Sequence, residues 1–128
     1  MTEASSGSPE LLGYHAHVYY SADTLPVAER LRDRLTANFP VEIGRFSWEA
    51  VGPHPVPQFQ VIFKVPEFQS VVPWLMLNRE GLDILVHPLT NDMLDDHTVY
   101  ALWLGKPVEL RLSTMQRRGY SEALLPTA

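Results

Sequence analysis

Apolar and polar residues alternate over residues 13–20 (GYHAHVYY), which predicts a β-strand with Tyr14, Ala16, Val18 and Tyr20 on one face and His15, His17 and Tyr19 on the other. The period then changes. Val27, Leu31 and Leu35 recur every four residues among Arg and Glu, with Asp23 or Thr24 suited to the cap and Pro26 to the first turn. A helix is predicted to about Asn38, ending before Pro40. Residues 41–51 and 59–65 read as strands, and the Gly-Pro-His-Pro-Val-Pro run at 52–57 joins them as a stiff hairpin loop. Ser70 can cap a second helix with Pro73 in its first turn, Val72, Leu75 and Met76 facing inward, and a stop at Gly81. Residues 82–87 (LDILVH) read as a fourth strand, 92–105 as a further helix and 108–112 as a further strand.

The order β, α, β, β, α, β is the split βαβ pattern of a ferredoxin-like α+β domain, an antiparallel sheet with two helices on one face. The first strand is expected between the third and the fourth, parallel to the third and antiparallel to the fourth. Two helices cover one face only, so Ile62 and Leu85 on the other predict a homodimer, an α/β barrel-like assembly in which the partner covers the sheet. The boundaries follow from patterning. Residues 1–10, rich in small and polar residues without an apolar period, are expected as a disordered N-terminal tail, 11–115 as the domain and 116–128 as a C-terminal tail.

Composition narrows the function. A chain of 128 residues with 45% hydrophobic and 20% charged residues is one compact domain. Ten Lys and Arg against fifteen Asp and Glu give a net charge of −5, which argues against nucleic acid as a partner. Arg30, Arg32 and Arg34 alternate with acids at Glu29 and Asp33 and read as a solvated helix face. The cysteine count is 0, which excludes disulfides, thiolate zinc sites, iron–sulfur ligation and a cysteine nucleophile. The most apolar segment, 71–77, is far shorter than the about 20 residues that cross a bilayer, and the N-terminus lacks a basic stretch followed by an apolar one. No membrane association and a cytoplasmic location are expected.

The histidines carry the chemistry. With the strand order above, His15 and His17 at the start of the first strand, His54 before the third and His87 at the end of the fourth are expected to meet on one edge of the sheet, with His97 a short loop away. Imidazoles without thiolates make a nitrogen- and oxygen-type site suited to Fe(II), Zn, Mn or Ni. Glu49 and Asp83 are the nearest carboxylates, and Asp83 lies too far along its strand from His87 to share an ion with it. An all-histidine site with water in the open positions is equally compatible.

The segments Tyr14-His15-Ala16-His17-Val18-Tyr19-Tyr20, Val51-Gly52-Pro53-His54-Pro55, Leu85-Val86-His87-Pro88-Leu89-Thr90 and Asp96-His97 with Trp103-Leu104-Gly105 resemble, in the same order, the blocks of the DOPA 4,5-dioxygenase family. The resemblance covers roughly residues 12–112. It implies a ferredoxin-like domain, usually a homodimer, that uses non-haem Fe(II), or Zn or another divalent metal in the same site, and O₂ to open a catechol beside its two hydroxyls. DOPA or a related catechol is the implied substrate, and His15, His17, His54 and His87 are the implied site residues. Room for catechol and O₂ on the ion argues for three protein ligands, and a neutral histidine suits the proton transfer. His17, His54 and His87 are therefore expected as metal ligands and His97 or His15 as the acid/base. Tyr19 and Trp103, with Tyr100, are expected to wall the substrate ring, and Trp74 to be core. The rival readings are a non-oxidative enzyme that uses the histidines as acid/base groups and a non-catalytic dimer that binds aromatic ligands.

Overall fold

The computed structural model describes residues 8–127, so most of the expected N-terminal tail lies outside the described residues. The elements are β1 (Tyr14–Tyr19), α1 (Leu25–Asn38), β2 (Glu42–Ile43), β3 (Gln58–Phe63), α2 (Phe68–Asn78), β4 (Ile84–Pro88), α3 (Met93–His97) and β5 (Leu102–Leu104). The strands form one antiparallel sheet in the order β2-β3-β1-β4-β5. This is the ferredoxin-like α+β fold with an added edge strand.

One orientation departs from the sequence reading. β1 is antiparallel to β3 as well as to β4, with Tyr14 opposite Phe63 and Tyr19 opposite Gln58. The crossover through α1 makes β2 run in the same direction as β1, and the hairpin reverses β3 before it pairs with β1.

α1 follows the apolar spacing. Ala28, Leu31 and Leu35 are buried, Pro26 sits in the first turn, and Phe39 leaves the helix in an extended conformation before Pro40. Thr24 occupies the cap without a side-chain cap bond, because its hydroxyl accepts from the Ser21 N–H at 2.8 Å. α2 starts at Phe68, so Pro73 lies inside the helix rather than in its first turn. Its buried stripe is Val71, Val72 and Leu75, and Met76, expected inward, falls past the border of that stripe and is half exposed. Arg30 and Arg34 pair with Glu80, and Arg32 lies over the Phe46 ring, so the arginine-rich face is engaged within the chain.

Two expected elements shrink. The strand read at 41–51 keeps two ladder residues, Glu42 and Ile43, after which Gly44 and Ser47 make only separate bonds to Gln60 and Gln58. The helix read at 92–105 stops at His97, where Thr98 turns to φ −126°, and Leu102–Leu104 instead pairs with β4. Residues 108–112 form no strand, and Leu112–Thr114 is a single 3₁₀ turn.

Alternation sorts the sheet into two faces. Ala16, Val18, Phe59, Val61, Phe63, Ile84 and Val86 pack with α1 and α2 into the main core. The opposite face carries His15, His17, Tyr19, Gln58, Ile62, Leu85 and His87, all buried within the single chain. Ile62 and Leu85, 5% and 0% exposed, thus need no partner subunit to cover them. Much of the cover is the segment expected as a C-terminal tail. Met93 N–H donates to the Arg118 carbonyl at 3.0 Å, Tyr120 bonds Asp96, the Leu124 carbonyl accepts from His15, and Thr127 N–H bonds Glu42 at 2.9 Å. Gly13, at φ +153°, permits the last approach, since a Cβ there would lie 2.5 Å from Pro126 Cγ. Among the described residues no helix is long and apolar enough to cross a membrane.

Candidate metal centre

The strand period delivers three of the five histidines. His15 and His87 are directly opposite each other in the β1–β4 ladder, and His17 is two residues further along the same face. His54 arrives by a different route. Val51 and His54 exchange two backbone hydrogen bonds of 3.0 and 2.9 Å, with Gly52 at φ +53°, and this tight turn folds the proline-rich loop back over the sheet. His97 ends α3, whose first turn is capped by Asp92 accepting from Asp95 N–H at 3.1 Å. The five therefore converge on a face of the sheet rather than on an edge, because antiparallel pairing puts the start of β3 beside the end of β1. Each is no more than 6% exposed.

Two triads bring ligand nitrogens close together: His15, His17 and His87, and His17, His54 and His97. The expected ligand set of His17, His54 and His87 is divided between them. Ring-centroid separations in the first triad are 5.6, 5.2 and 5.1 Å, close to equilateral. Those in the second are 4.1, 6.1 and 6.0 Å. Within the first, His17 Nε2 and His87 Nε2 lie 3.0 Å apart. Two nitrogens bound at right angles to an ion at about 2.1 Å are separated by about 3 Å, the same spacing.

Hydrogen-bond partners assign the tautomers. His87 Nδ1 donates to the Pro88 carbonyl at 2.8 Å and His17 Nδ1 to Gln58 Oε1 at 2.8 Å, leaving both Nε2 lone pairs free. His15 is reversed, its Nε2 donating to the Leu124 carbonyl at 2.6 Å and its Nδ1 left free. Each member of this triad thus has one ring N–H fixed by an oxygen and one nitrogen available, the arrangement of metal-bound histidines. With those donors assigned, the facing Nε2 atoms of His17 and His87 share no hydrogen in the neutral state, and a cation satisfies both.

The second triad is built differently. The buried Tyr19 hydroxyl lies 2.7 Å from His54 Nδ1 and donates to it, which puts the His54 hydrogen on Nε2 and makes it a donor. His97 Nδ1 donates to the Met93 carbonyl at 2.7 Å, so its Nε2 is an acceptor. Burial lowers all five histidine pKa values, to about 4 for His15, to about 3 for His54 and well below the ordinary value for His17 and His87. Neighbouring imidazoles push four of them further the same way. For His97 the Met93 carbonyl and the Asp96 carboxylate oppose the burial. All five are neutral at pH 7, as ligation requires.

His15, His17, His54 and His97 line a cavity of about 240 Å³, closed by Val51, Pro53, Gln58, Gln60, Met93, Met115, Tyr120 and Leu124. Tyr19 and Trp103 stack on each other with centroids 5.9 Å apart and do not line it, so Tyr19 acts on the site through His54. Tyr100 is 41% exposed and also outside the cavity. Glu49 is exposed in the loop, and Asp83 accepts from Lys106 N–H at 2.8 Å, a structural role. The sequence reading passed over Gln58, which anchors His17, and gave no role to Asp96, a fully buried carboxylate accepting from Thr90 N–H, Thr90 Oγ1 and Tyr120 O–H. It also passed over Tyr120, whose ring centroid is 5.9 Å from that of His15. Strand alternation was a signal for Gln58, since it shares the histidine face; nothing in the pattern marks Tyr120.

Residues 14–114 match the Dopa 4,5-dioxygenase family. A DOPA 4,5-dioxygenase of Amanita muscaria is 33% identical over 83% of this chain and 50% of its own length. An uncharacterized 21.2 kDa protein of Botryotinia fuckeliana is 39% identical over 81% of this chain and 63% of its own. The chain thus spans between half and two-thirds of these curated relatives. A crystal structure from Nostoc punctiforme, described as that of a candidate dioxygenase, superimposes with a TM-score of 0.80 and 52% identity, covering 81% of this chain and 90% of that one.

Proposed function

The chain belongs to the Dopa 4,5-dioxygenase family, and from that premise we propose that it opens the ring of a catechol, beside the two hydroxyls, with O₂ at a divalent metal held by His15, His17 and His87. The observation that carries the reading is the pair of facing Nε2 atoms 3.0 Å apart, completed by a third histidine and anchored by three oxygen acceptors. The donor set is nitrogen only and suits Fe(II), with Zn or another divalent ion able to occupy it. With His15, His17 and His87 holding it, a ferrous ion would supply a Lewis acid and a redox path between catechol and O₂.

The protein's own groups do the rest. His15 and His17 line the cavity, so a ring entering it meets the ligand side of the triad. His97 presents an unprotonated Nε2, held in that tautomer by the Met93 carbonyl, and takes the proton from a catechol hydroxyl. His54 presents an N–H, fixed by the Tyr19 phenol, and donates to an oxygen on which negative charge grows. Thus His54 moves from ligand to donor, His15 from acid/base to ligand, and His97 keeps the acid/base role. Among the described residues that line the cavity there is no carboxylate and no lysine, which leaves these groups as its proton carriers. A homodimer rests on the family resemblance alone, since the chain itself covers Ile62 and Leu85.

The test is anaerobic reconstitution with Fe(II) followed by a catechol panel in labelled O₂. One O₂ consumed per catechol, with both oxygen atoms in a ring-opened product, is expected. Ring opening without uptake of both atoms overturns the dioxygenase reading, and full activity after exhaustive chelation overturns the metal.

A further inference from the structure

His17 is anchored by Gln58 on β3 and His87 by Pro88 on its own strand, whereas His15 depends on the Leu124 carbonyl, beyond the family match that ends at residue 114. Something must hold that segment in place. Among the described residues from 105 to 127 no side chain is buried, so the segment has no apolar core of its own to pin it. Arg117 bridges to Asp92 at 2.6 Å and to Asp95 at 3.2 Å, but from an exposed position, where ion pairs contribute little.

The bond between Tyr120 and Asp96 is of another kind. Asp96 is 0% exposed, and its side chain accepts from Thr90 N–H at 2.8 Å, Thr90 Oγ1 at 2.6 Å and the Tyr120 hydroxyl at 2.7 Å. Hydrogen bonds to a buried carboxylate are stronger than those between neutral groups. Thr90 lies just past β4, next to Leu89, whose N–H donates to the Gly13 carbonyl at 2.9 Å, so Asp96 is tied to the sheet. On the other side of the bond, Tyr120 leads into the 3₁₀ turn Glu122–Leu124, closed by Leu124 N–H on the Ser121 carbonyl at 3.0 Å. The Leu124 carbonyl then accepts from His15 Nε2 at 2.6 Å. A chain of bonds thus runs from the strand of His87, through Thr90, Asp96 and Tyr120, to the His15 ring on the neighbouring strand.

We propose that Asp96 and Tyr120 are a positioning pair for His15: their hydrogen bond clasps the C-terminal segment over the site and keeps the Leu124 carbonyl on His15 Nε2–H, which leaves Nδ1 as the ligand nitrogen. This rests on the reading of His15, His17 and His87 as metal ligands and adds what holds the first of them. Loss of the Tyr120 hydroxyl takes one of three donors from Asp96 and leaves the two from Thr90, so the buried carboxylate stays paired while the segment loses its tie.

Tyr120→Phe is the test. In the metal-free variant the His15 Nε2–H proton should exchange with water at least about tenfold faster than in the parent, read by NMR. Zn(II) affinity, read by competition with a chelator, should fall about 10- to 100-fold. A cross-link then separates the clasp from any other role of the phenol. The chain has no cysteine, and a Cβ at Gly119 would lie 3.7 Å from Asn91 Cα, so an Asn91→Cys/Gly119→Cys disulfide can tie the segment down at two exposed positions outside the cavity. In the Tyr120→Phe background the oxidised pair should restore both the Zn(II) affinity and the slow exchange, and reduction should abolish both. Asp96→Asn should reproduce the Tyr120→Phe effects, and if it does not fold Tyr120→Phe decides. Parental exchange and parental Zn(II) affinity in Tyr120→Phe overturn the proposal, as does a formed disulfide that restores neither. If the parent protein binds no Zn(II), the metal reading fails, whereas the exchange of His15 Nε2–H and its rescue still decide the clasp.

Discussion

The five histidines fall into two groups held by different means. His15, His17 and His87 stand on adjacent strands, where the β1–β4 ladder fixes their backbones and each ring is tied by one further acceptor. His54 and His97 come from a turn and a helix end, and each is oriented by one hydrogen bond to its Nδ1. The ladder gives the near-equilateral spacing that coordination needs. The turn and the helix end give fixed tautomers of opposite sense, one donor and one acceptor, which is what proton transfer needs. A cluster that looks uniform in composition is thus divided by the elements that carry it.

The sharpest way to break this division is to remove a strand-borne ligand. His17→Ala and His87→Ala should lose metal by more than the roughly 10- to 100-fold that changes in outlying partners cost, and activity should fall to background with the fold intact by circular dichroism. Metal content equal to the parent in either variant removes His15, His17 and His87 from the ligand role. His97→Ala is the counterpart for the second group: full metal content and a turnover lowered about 10² to 10⁴-fold, by metal analysis and steady-state rates. A metal-free His97→Ala protein would merge the two groups.

Acid provides a third test. Each buried histidine binds its proton in the unfolded chain near 6.5, and in the folded protein only lower, at about 4 for His15 and about 3 for His54. The unfolded state holds more protons across that interval, so the stability of the metal-free protein is complete above pH 6.5 and declines as pH falls toward 4. Denaturation titrations should show this loss together with proton uptake on unfolding. In NMR titrations His97, whose burial is opposed by Asp96 and Met93, should protonate before His17 and His87. The reverse order would mean that the strand pair is the more solvated one. The smallest effect is expected from Tyr19→Phe. It leaves the His54 Nδ1 acceptor unpaired, costs about 1–3 kcal/mol of stability and shifts the pH profile of turnover, with metal content unchanged. An unaltered profile would detach His54 from proton transfer.

The sequence was most legible where periodicity acts directly. A period of two put His15 and His17 on one face, and the apolar run at 82–87 put His87 on a neighbouring strand. The fold class followed from element order. The division of labour did not, because it depends on partners distant in the chain: Leu124 for His15, Gln58 for His17, Tyr19 for His54. The helix read at 92–105 failed because the backbone leaves helical dihedrals at Thr98 (φ −126°, ψ −77°) and an open edge of β4 is available to Leu102–Leu104. Residues 116–127 carry no period at all, and their placement is set by contacts such as Tyr120 with Asp96.

The bond between His15 and the Leu124 carbonyl joins residues 109 positions apart. Sheet pairs such as Tyr14 with Phe63 close far shorter loops, so the scaffold can assemble before the site does. The anchored tautomer of His15 therefore depends on a segment outside the sheet: the β1–β4 ladder can stand without residue 124, and the His15 anchor cannot.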